Sequence, residues 1–262
     1  MRRAKCARFD QVSVCPQWRA FTISEMIVAL AVITVLIGIA APSLSRIRLR
    51  AEETSARGAM RQTALALLSY CTDNRQALPY LGTPGDPHAP LVANGVELLY
   101  AQGAYFGGQG RFWVSLVRSY LTGLPKVGGA LAIEPAGESF GVPASEADKV
   151  LNTRFWLTHT AFAAPAYWES ERTPSDLSLY RGTRLSDVRQ PGRKGMLLDT
   201  AFGVFSLTDD DRKTRNDILA AMFDGSVKDA AFMPQADFVQ RPHGAAPVPL
   251  MSTRGGLAGV DF

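Results

Sequence analysis

An acidic residue stands inside the most apolar stretch of this sequence. Glu25 is the only charged residue in FTISEMIVALAVITVLIGIAAP, which runs from Phe21 to Pro42. An ionised carboxylate at membrane depth costs ~2.5 kcal/mol or more unless a cation pairs with it. If the basic segment before Phe21 were cut off after Ala20, the new α-amino group would lie four residues from Glu25. The spacing predicts that such an amine neutralises Glu25 of its own chain or of a neighbouring copy.

The same stretch has the length of a membrane-spanning helix. Every residue from Met26 to Ala41 is uncharged, and ~20 apolar residues at ~1.5 Å each cross a bilayer. We therefore predict a spanning helix over 21–41, with a kink at Pro42, where a backbone hydrogen bond is lost. Two simpler alternatives are a plain single-pass anchor and a secretory signal cut near the small residues Gly38 and Ala40.

This N-terminal pattern resembles that of type IV prepilins and type II secretion pseudopilins. In that family the position of Ala20 is usually Gly and the position of Ser24 is usually apolar. The features that carry the resemblance are a basic leader, the small residue Ala20, Phe21, Thr22, the aliphatic Ile23, Glu25 at the fifth mature position and Pro42.

The resemblance implies a structural role without enzymatic activity. A membrane-embedded prepilin peptidase would cleave between Ala20 and Phe21 and methylate Phe21. Glu25 would then pair with a neighbour's amine during assembly with other pilin or pseudopilin subunits on an inner-membrane platform. The expected location is the inner membrane, single-pass, with the head in the periplasm or cell envelope.

The rest of the chain predicts a head that follows a long helix. Apolar residues at three- and four-residue spacing extend the helix to about Gln76, and later segments read as strands. Asp224–Gly225 between two apolar runs predicts a hairpin with a type I′ turn. The expected fold is α+β and pilin-like, with a long N-terminal hydrophobic helix packed on a C-terminal antiparallel sheet and an inserted loop and helix region. Its parts are a leader (1–20), the long helix (21–76) and the head (77–262).

Composition limits the possible partners. The formal net charge is +4, and the leader alone carries +4, so the mature chain would be close to neutral. No basic patch interleaved with aromatic residues remains in the body, and we expect no nucleic-acid partner. Cys71 would be the single cysteine of the mature chain, which excludes an internal disulfide.

Two further groups of residues could do chemistry. The pentapeptide from Gly137 to Gly141 fits the G-x-S-x-G pattern of hydrolases, with Ser139 as nucleophile, and supports the alternative of a membrane-anchored periplasmic enzyme or binding protein. Asp209 and Asp211 offer oxygen ligands for Ca²⁺, which major pseudopilins bind as a family, but a solvated turn explains them as well. We expect no other cofactor, because the histidines lack zinc-ligand spacing.

Overall fold

The computed structural model divides into two compact units, Met1–Arg50 and Ala51–Phe262. The division falls inside the first helix. The structure describes residues 22–98, 105–121, 126–127, 130–131, 133–136, 142–169, 175–200, 219–229 and 251–261.

Helix α1 (Ile23–Asp73) is 51 residues long. It ends three residues before the predicted position because Arg75 and Gln76 adopt positive φ angles of 54° and 63°. In this left-handed conformation the Gln76 amide donates a hydrogen bond to the carbonyl of Cys71 at 2.7 Å. Such a bond satisfies one of the carbonyls that every helix leaves free at its C-terminus.

The prediction of a membrane-spanning helix over 21–41 is wrong. Among the residues that the structure describes, no helix has the combination of length and apolar character that crossing a membrane requires. The expected single-pass location in the inner membrane, which depends on such a helix, is wrong with it.

Within the described ranges, the strands of the second unit are short and pair antiparallel in four sheets. Their bounds are β1 (Leu91–Ala93), β2 (Val96–Leu98), β3 (Lys126–Val127), β4 (Ala130–Leu131), β5 (Ile133–Pro135), β6 (Leu151–Thr153), β7 (Phe155–Leu157), β8 (Gly195–Asp199), β9 (Leu219–Met222) and β10 (Val227–Asp229). The largest sheet has the order β10-β9-β8-β7, so strands that follow one another in sequence are neighbours in space. The pairs β1–β2, β3–β4 and β5–β6 form separate two-stranded sheets.

A second helix, α2 (Tyr105–Phe112), is followed by single turns of 3-10 helix at Trp113–Ser115 and Arg118–Tyr120. Phe112, Trp113 and Val114 are fully buried. Consecutive bulky residues enter the core here, whereas an amphipathic helix would bury only one side.

The main core joins the second part of α1 to the four-stranded sheet. Met60, Ala64, Leu67 and Cys71 recur at three- and four-residue spacing, so they lie on one side of the helix and are fully buried. The same cluster contains side chains of α2, the four-stranded sheet and the C-terminal segment, among them Tyr105, Phe106, Phe155, Leu157, Leu197, Leu219, Ala221 and Leu257. A smaller cluster lies between the β1–β2 hairpin and Phe112, Val142 and Val150.

The predicted fold class, an α+β pilin-like fold whose long hydrophobic helix packs on a C-terminal sheet, is therefore wrong. The α1 residues that enter the core belong to the part with an apolar stripe, from Ala56 onwards. The more hydrophobic part, Ile23 to Ile39, keeps its large side chains exposed. The strands that the structure describes also belong to four sheets rather than to one.

Candidate assembly surface

The first part of α1 exposes an apolar surface of unusual extent. The exposed fraction of its large side chains ranges from 50% at Ile33 to 81% at Ile23. These residues are Ile23, Met26, Ile27, Val28, Leu30, Val32, Ile33, Val35, Leu36, Ile37 and Ile39. We call them the apolar surface of α1.

The apolar surface surrounds the helix. Successive residues of an α-helix are rotated by about 100°, so positions that differ by one or two residues point in different directions. Val35, Leu36 and Ile37 are consecutive, and their exposed fractions lie between 60% and 61%. A helix that is apolar on all sides is normally buried, whereas the large side chains of this surface are exposed.

Glu25 lies near the N-terminal end of this surface, in the first turn of α1. The Thr22 amide donates to Glu25 Oε2 at 2.8 Å, and the Thr22 hydroxyl donates to the same oxygen at 2.9 Å. In return, the Glu25 amide donates to Thr22 Oγ1 at 3.3 Å. Thr22 precedes the first helical residue, so the two residues form a capping box, which satisfies amides that a helix start leaves free.

The electrostatics of this turn favour an ionised carboxylate. Hydrogen bonds from the backbone and side chain of Thr22 hold the pKa of the Glu25 carboxyl below its ordinary value. The N-terminal end of a helix also favours negative charge through its dipole. In sequence, Glu25 is the only acidic residue between Thr22 and Arg50. The helix therefore presents a single anionic group at one end of a long apolar surface.

The structure describes only some of the other residues that were predicted for the processing site and the helix kink. Ala20 and Phe21 lie outside the described residues. Pro42 lies within α1, whose helical assignment continues on both sides of it. The weak calcium candidates Asp209 and Asp211, and the hydrolase-like serine Ser139, also lie outside the described residues.

Asp224 and Gly225 lie in the turn between β9 and β10. The Met222 amide donates a hydrogen bond to the Ser226 carbonyl at 2.8 Å, which leaves three residues in the loop. Of the dipeptide, Gly225 alone has a positive φ angle, 82°, so the turn is not of type I′. Asp224 Oδ1 instead accepts hydrogen bonds from the Ser226 amide at 2.9 Å and hydroxyl at 2.6 Å. A three-residue loop with a left-handed glycine at its end is the next most common hairpin.

Within the ranges that the structure describes, no three His, Cys, Asp or Glu residues are grouped so as to hold a metal ion. Lys194 and Asp261 form a buried ion pair that was not foreseen from the sequence. The two residues are distant in the chain and carry no motif. The capping box could have been found, because T-x-x-E before an apolar run is a known helix-start pattern.

Comparison with known proteins gives no assignment: no family model, curated protein or solved structure matches this chain. The resemblance to prepilins therefore depends on the N-terminal residues alone.

Proposed function

We propose that this chain is a structural subunit of a filament related to type IV pili or to the type II secretion pseudopilus. Subunits would associate through the apolar surface of α1, and Glu25 would pair with the N-terminal amine of a neighbouring subunit. The observation that carries this proposal is the exposure, on all sides of the helix, of the side chains from Ile23 to Ile39.

Identical copies are the simplest cover for this surface, because every copy brings the same helix. Burying one aliphatic side chain contributes ~1.5–3 kcal/mol, so covering only four or five of them would match the ~5–15 kcal/mol that stabilises a whole domain. A surface that surrounds the helix can contact several neighbours at once. Contacts that repeat without closing into a ring produce a filament.

The pairing of Glu25 requires a free amine, which leader removal between Ala20 and Phe21 would provide. Cleavage there leaves the Thr22 amide and hydroxyl in place, so the capping box can persist in the mature chain. A methylated Phe21 amine retains its positive charge and can still pair with the carboxylate. The partners that this proposal requires are a prepilin peptidase, other pilin or pseudopilin subunits and an assembly platform.

Two substitutions of Glu25 separate its charge from its role in the capping box. Gln at this position can still accept the hydrogen bonds of a capping box, whereas Ala cannot. If the charge drives assembly, Glu25→Gln and Glu25→Ala both lose incorporation into filaments, and the leader is still removed from both. Incorporation would be measured by quantifying each variant in sheared filament fractions.

Ser24→Ala provides the matched control in the same turn. Ser24 is exposed and contacts the Thr22 hydroxyl at 3.1 Å, but it carries no charge. We expect this variant to assemble normally. Normal incorporation of Glu25→Gln would show that the charge is dispensable, and the proposed pairing would have to be abandoned.

The apolar surface can be tested independently of Glu25. Ile33 on α1 and Leu177 in the second unit are both 50% exposed. Ile33→Asp should abolish self-association in sedimentation experiments, and Leu177→Asp should leave it unchanged. Equal behaviour of the two variants would argue against the helix as the contact surface.

Mass spectrometry of the mature N-terminus tests the processing step. The proposal predicts a chain that begins with methylated Phe21. A chain that retains Met1 in every copy would lack the required amine.

A further inference from the structure

A lysine and an aspartate meet in the interior of the second unit. The side chains of Lys194 and Asp261 are both fully inaccessible to solvent. Lys194 Nζ lies 3.2 Å from Asp261 Oδ1 and 3.1 Å from Oδ2. The amine nitrogen is thus almost equidistant from the two oxygens and faces the carboxyl group as a whole.

Two neighbours complete this group. Lys194 Nζ donates to Thr253 Oγ1 at 2.6 Å, and the Thr253 hydroxyl in turn contacts Asp261 Oδ1. The Gly195 amide donates to Asp261 Oδ2 at 2.8 Å. One hydroxyl therefore bridges the amine to one carboxyl oxygen, and a backbone N–H is directed at the other oxygen.

We propose that Lys194 and Asp261 condense after folding to form an intramolecular isopeptide bond. This inference does not depend on the proposed function, since all of its residues lie in the second unit.

The environment favours the amide over the ion pair. Removing two charged groups from water costs several kcal/mol for each ion, and a buried pair often fails to recover that cost. An amide replaces both charges with one neutral group that the hydrogen bonds of Thr253 and Gly195 can still satisfy. Burial also lowers the pKa of Lys194, although Asp261 opposes this, and a lower pKa favours the neutral amine that acts as nucleophile.

The reaction is balanced and requires no external reagent. A proton passes from the Lys194 ammonium to the Asp261 carboxylate, which gives a neutral amine and a carboxylic acid. The Nζ lone pair attacks Cγ, and the Gly195 amide stabilises the negative charge that develops on Oδ2. Thr253 transfers a proton from Nζ to Oδ1, the Cγ–Oδ1 bond breaks, and one water molecule leaves. Holding the two groups in contact supplies the effective concentration that is absent in solution.

The full-length protein contains its own control. Lys149 and Glu146 form an ion pair with the same chemical groups at 3.2 Å, but their side chains are 50% and 36% exposed. Water solvates both groups there, so burial does not favour the amide over the ion pair. We expect a cross-link at Lys194–Asp261 and none at Lys149–Glu146.

The test is mass spectrometry of the purified full-length protein. The expected intact mass is that of the processed or unprocessed sequence less one water molecule, and a digest should yield one branched peptide that joins the segments of Lys194 and Asp261. Lys194→Arg keeps the positive charge but should show the full mass of its own sequence, without the loss of water. Asp261→Asn should give the same cross-linked product as the natural chain, with loss of ammonia instead of water.

Thr253→Val tests the proton transfer. Proton transfer by a positioned group contributes ~10²–10⁴-fold to such reactions, so the cross-link should form at least ~100-fold more slowly after cell-free synthesis. A natural chain that keeps its full mass and yields only linear peptides at Lys194 and Asp261 would overturn the proposal. A cross-link that forms equally at Lys149–Glu146 would remove burial as its cause.

Discussion

Arg154 and Asp199 form an ion pair across the junction of β7 and β8, with Arg154 Nη2 at 2.8 Å from Asp199 Oδ2. The Asp199 side chain is 1% exposed, and that of Arg154 is 20% exposed. The adjacent residue Phe155 is the partner of Asp199 in the strand register. The pair therefore connects the residue before β7 to the last residue of β8.

We predict that Arg154→Ala lowers the free energy of unfolding by ~3 kcal/mol, because it removes the cation that pairs with the buried Asp199 carboxylate. Urea denaturation would measure the change. Lys149→Ala is the control: it removes the exposed pair with Glu146, and we expect a change below ~0.5 kcal/mol. Similar effects of the two substitutions would mean that burial does not determine the strength of the Arg154–Asp199 pair.

The β1–β2 hairpin allows a prediction about backbone conformation. Gly95 has a φ angle of 80°, and an added Cβ would meet no atom within 4 Å. Gly95→Ala should therefore destabilise the protein by ~1 kcal/mol through strain alone. Gly58, in the helix α1, has equally free surroundings without a positive φ angle. Gly58→Ala should stabilise by ~0.5–1 kcal/mol, and opposite signs in thermal unfolding are the expected outcome.

Cys71 provides a test of burial in the core. Burial raises the pKa of its thiol to about 12, and only the thiolate reacts with alkylating reagents. In the folded protein at pH 8, Cys71 should resist iodoacetamide, and in urea it should be modified at the rate of a free cysteine. Peptide mapping gives the extent of reaction at this residue. Rapid modification of the native protein would contradict its position in the core.

His159 should make stability depend on pH. Burial lowers its pKa from 6.5 to about 4, and its Nε2 atom has no hydrogen-bond partner among the described residues. Between these two pKa values the unfolded chain binds a proton that the folded chain does not. The free energy of unfolding should therefore fall by ~1–3 kcal/mol as the pH drops from 7 to 4.

His159→Gln should reduce this dependence, as measured by urea denaturation across the pH range. The exposed His88 supplies the control, because His88→Gln should leave the dependence unchanged. An identical pH dependence in the natural protein and in His159→Gln would rule out His159 as its source.

Two glycine-containing dipeptides show how far turn chemistry can be predicted. Asn94 and Gly95 have φ angles of 51° and 80° and connect β1 to β2 as a two-residue turn. This is the type I′ geometry that the sequence led us to expect at Asp224–Gly225. The Asp224 side chain instead binds the Ser226 amide, which stabilises a longer loop. The dipeptide signals a turn, but the local side-chain hydrogen bonds decide its type.

Long-range relationships explain most of what the sequence could not provide. Hydrophobicity locates the apolar part of α1, but it led to the wrong prediction of a membrane span. The spacing of Met60 and Leu67 indicates a buried side of the helix. Hydrophobicity and spacing can both be read from residues that are close together in the sequence. By contrast, Lys194 and Asp261 are brought together only by the complete fold. Nothing periodic in the C-terminal segment indicates that it packs beside Lys194.

The burial of Asp261 affects how the protein should be handled in the laboratory. A tag inserted next to Asp261 would have to leave the interior at once, because the side chain of this residue is fully inaccessible to solvent. A tag at the N-terminus would be lost with the leader if the proposed processing occurs. The exposed turn that contains His88 is therefore the better place for a purification epitope.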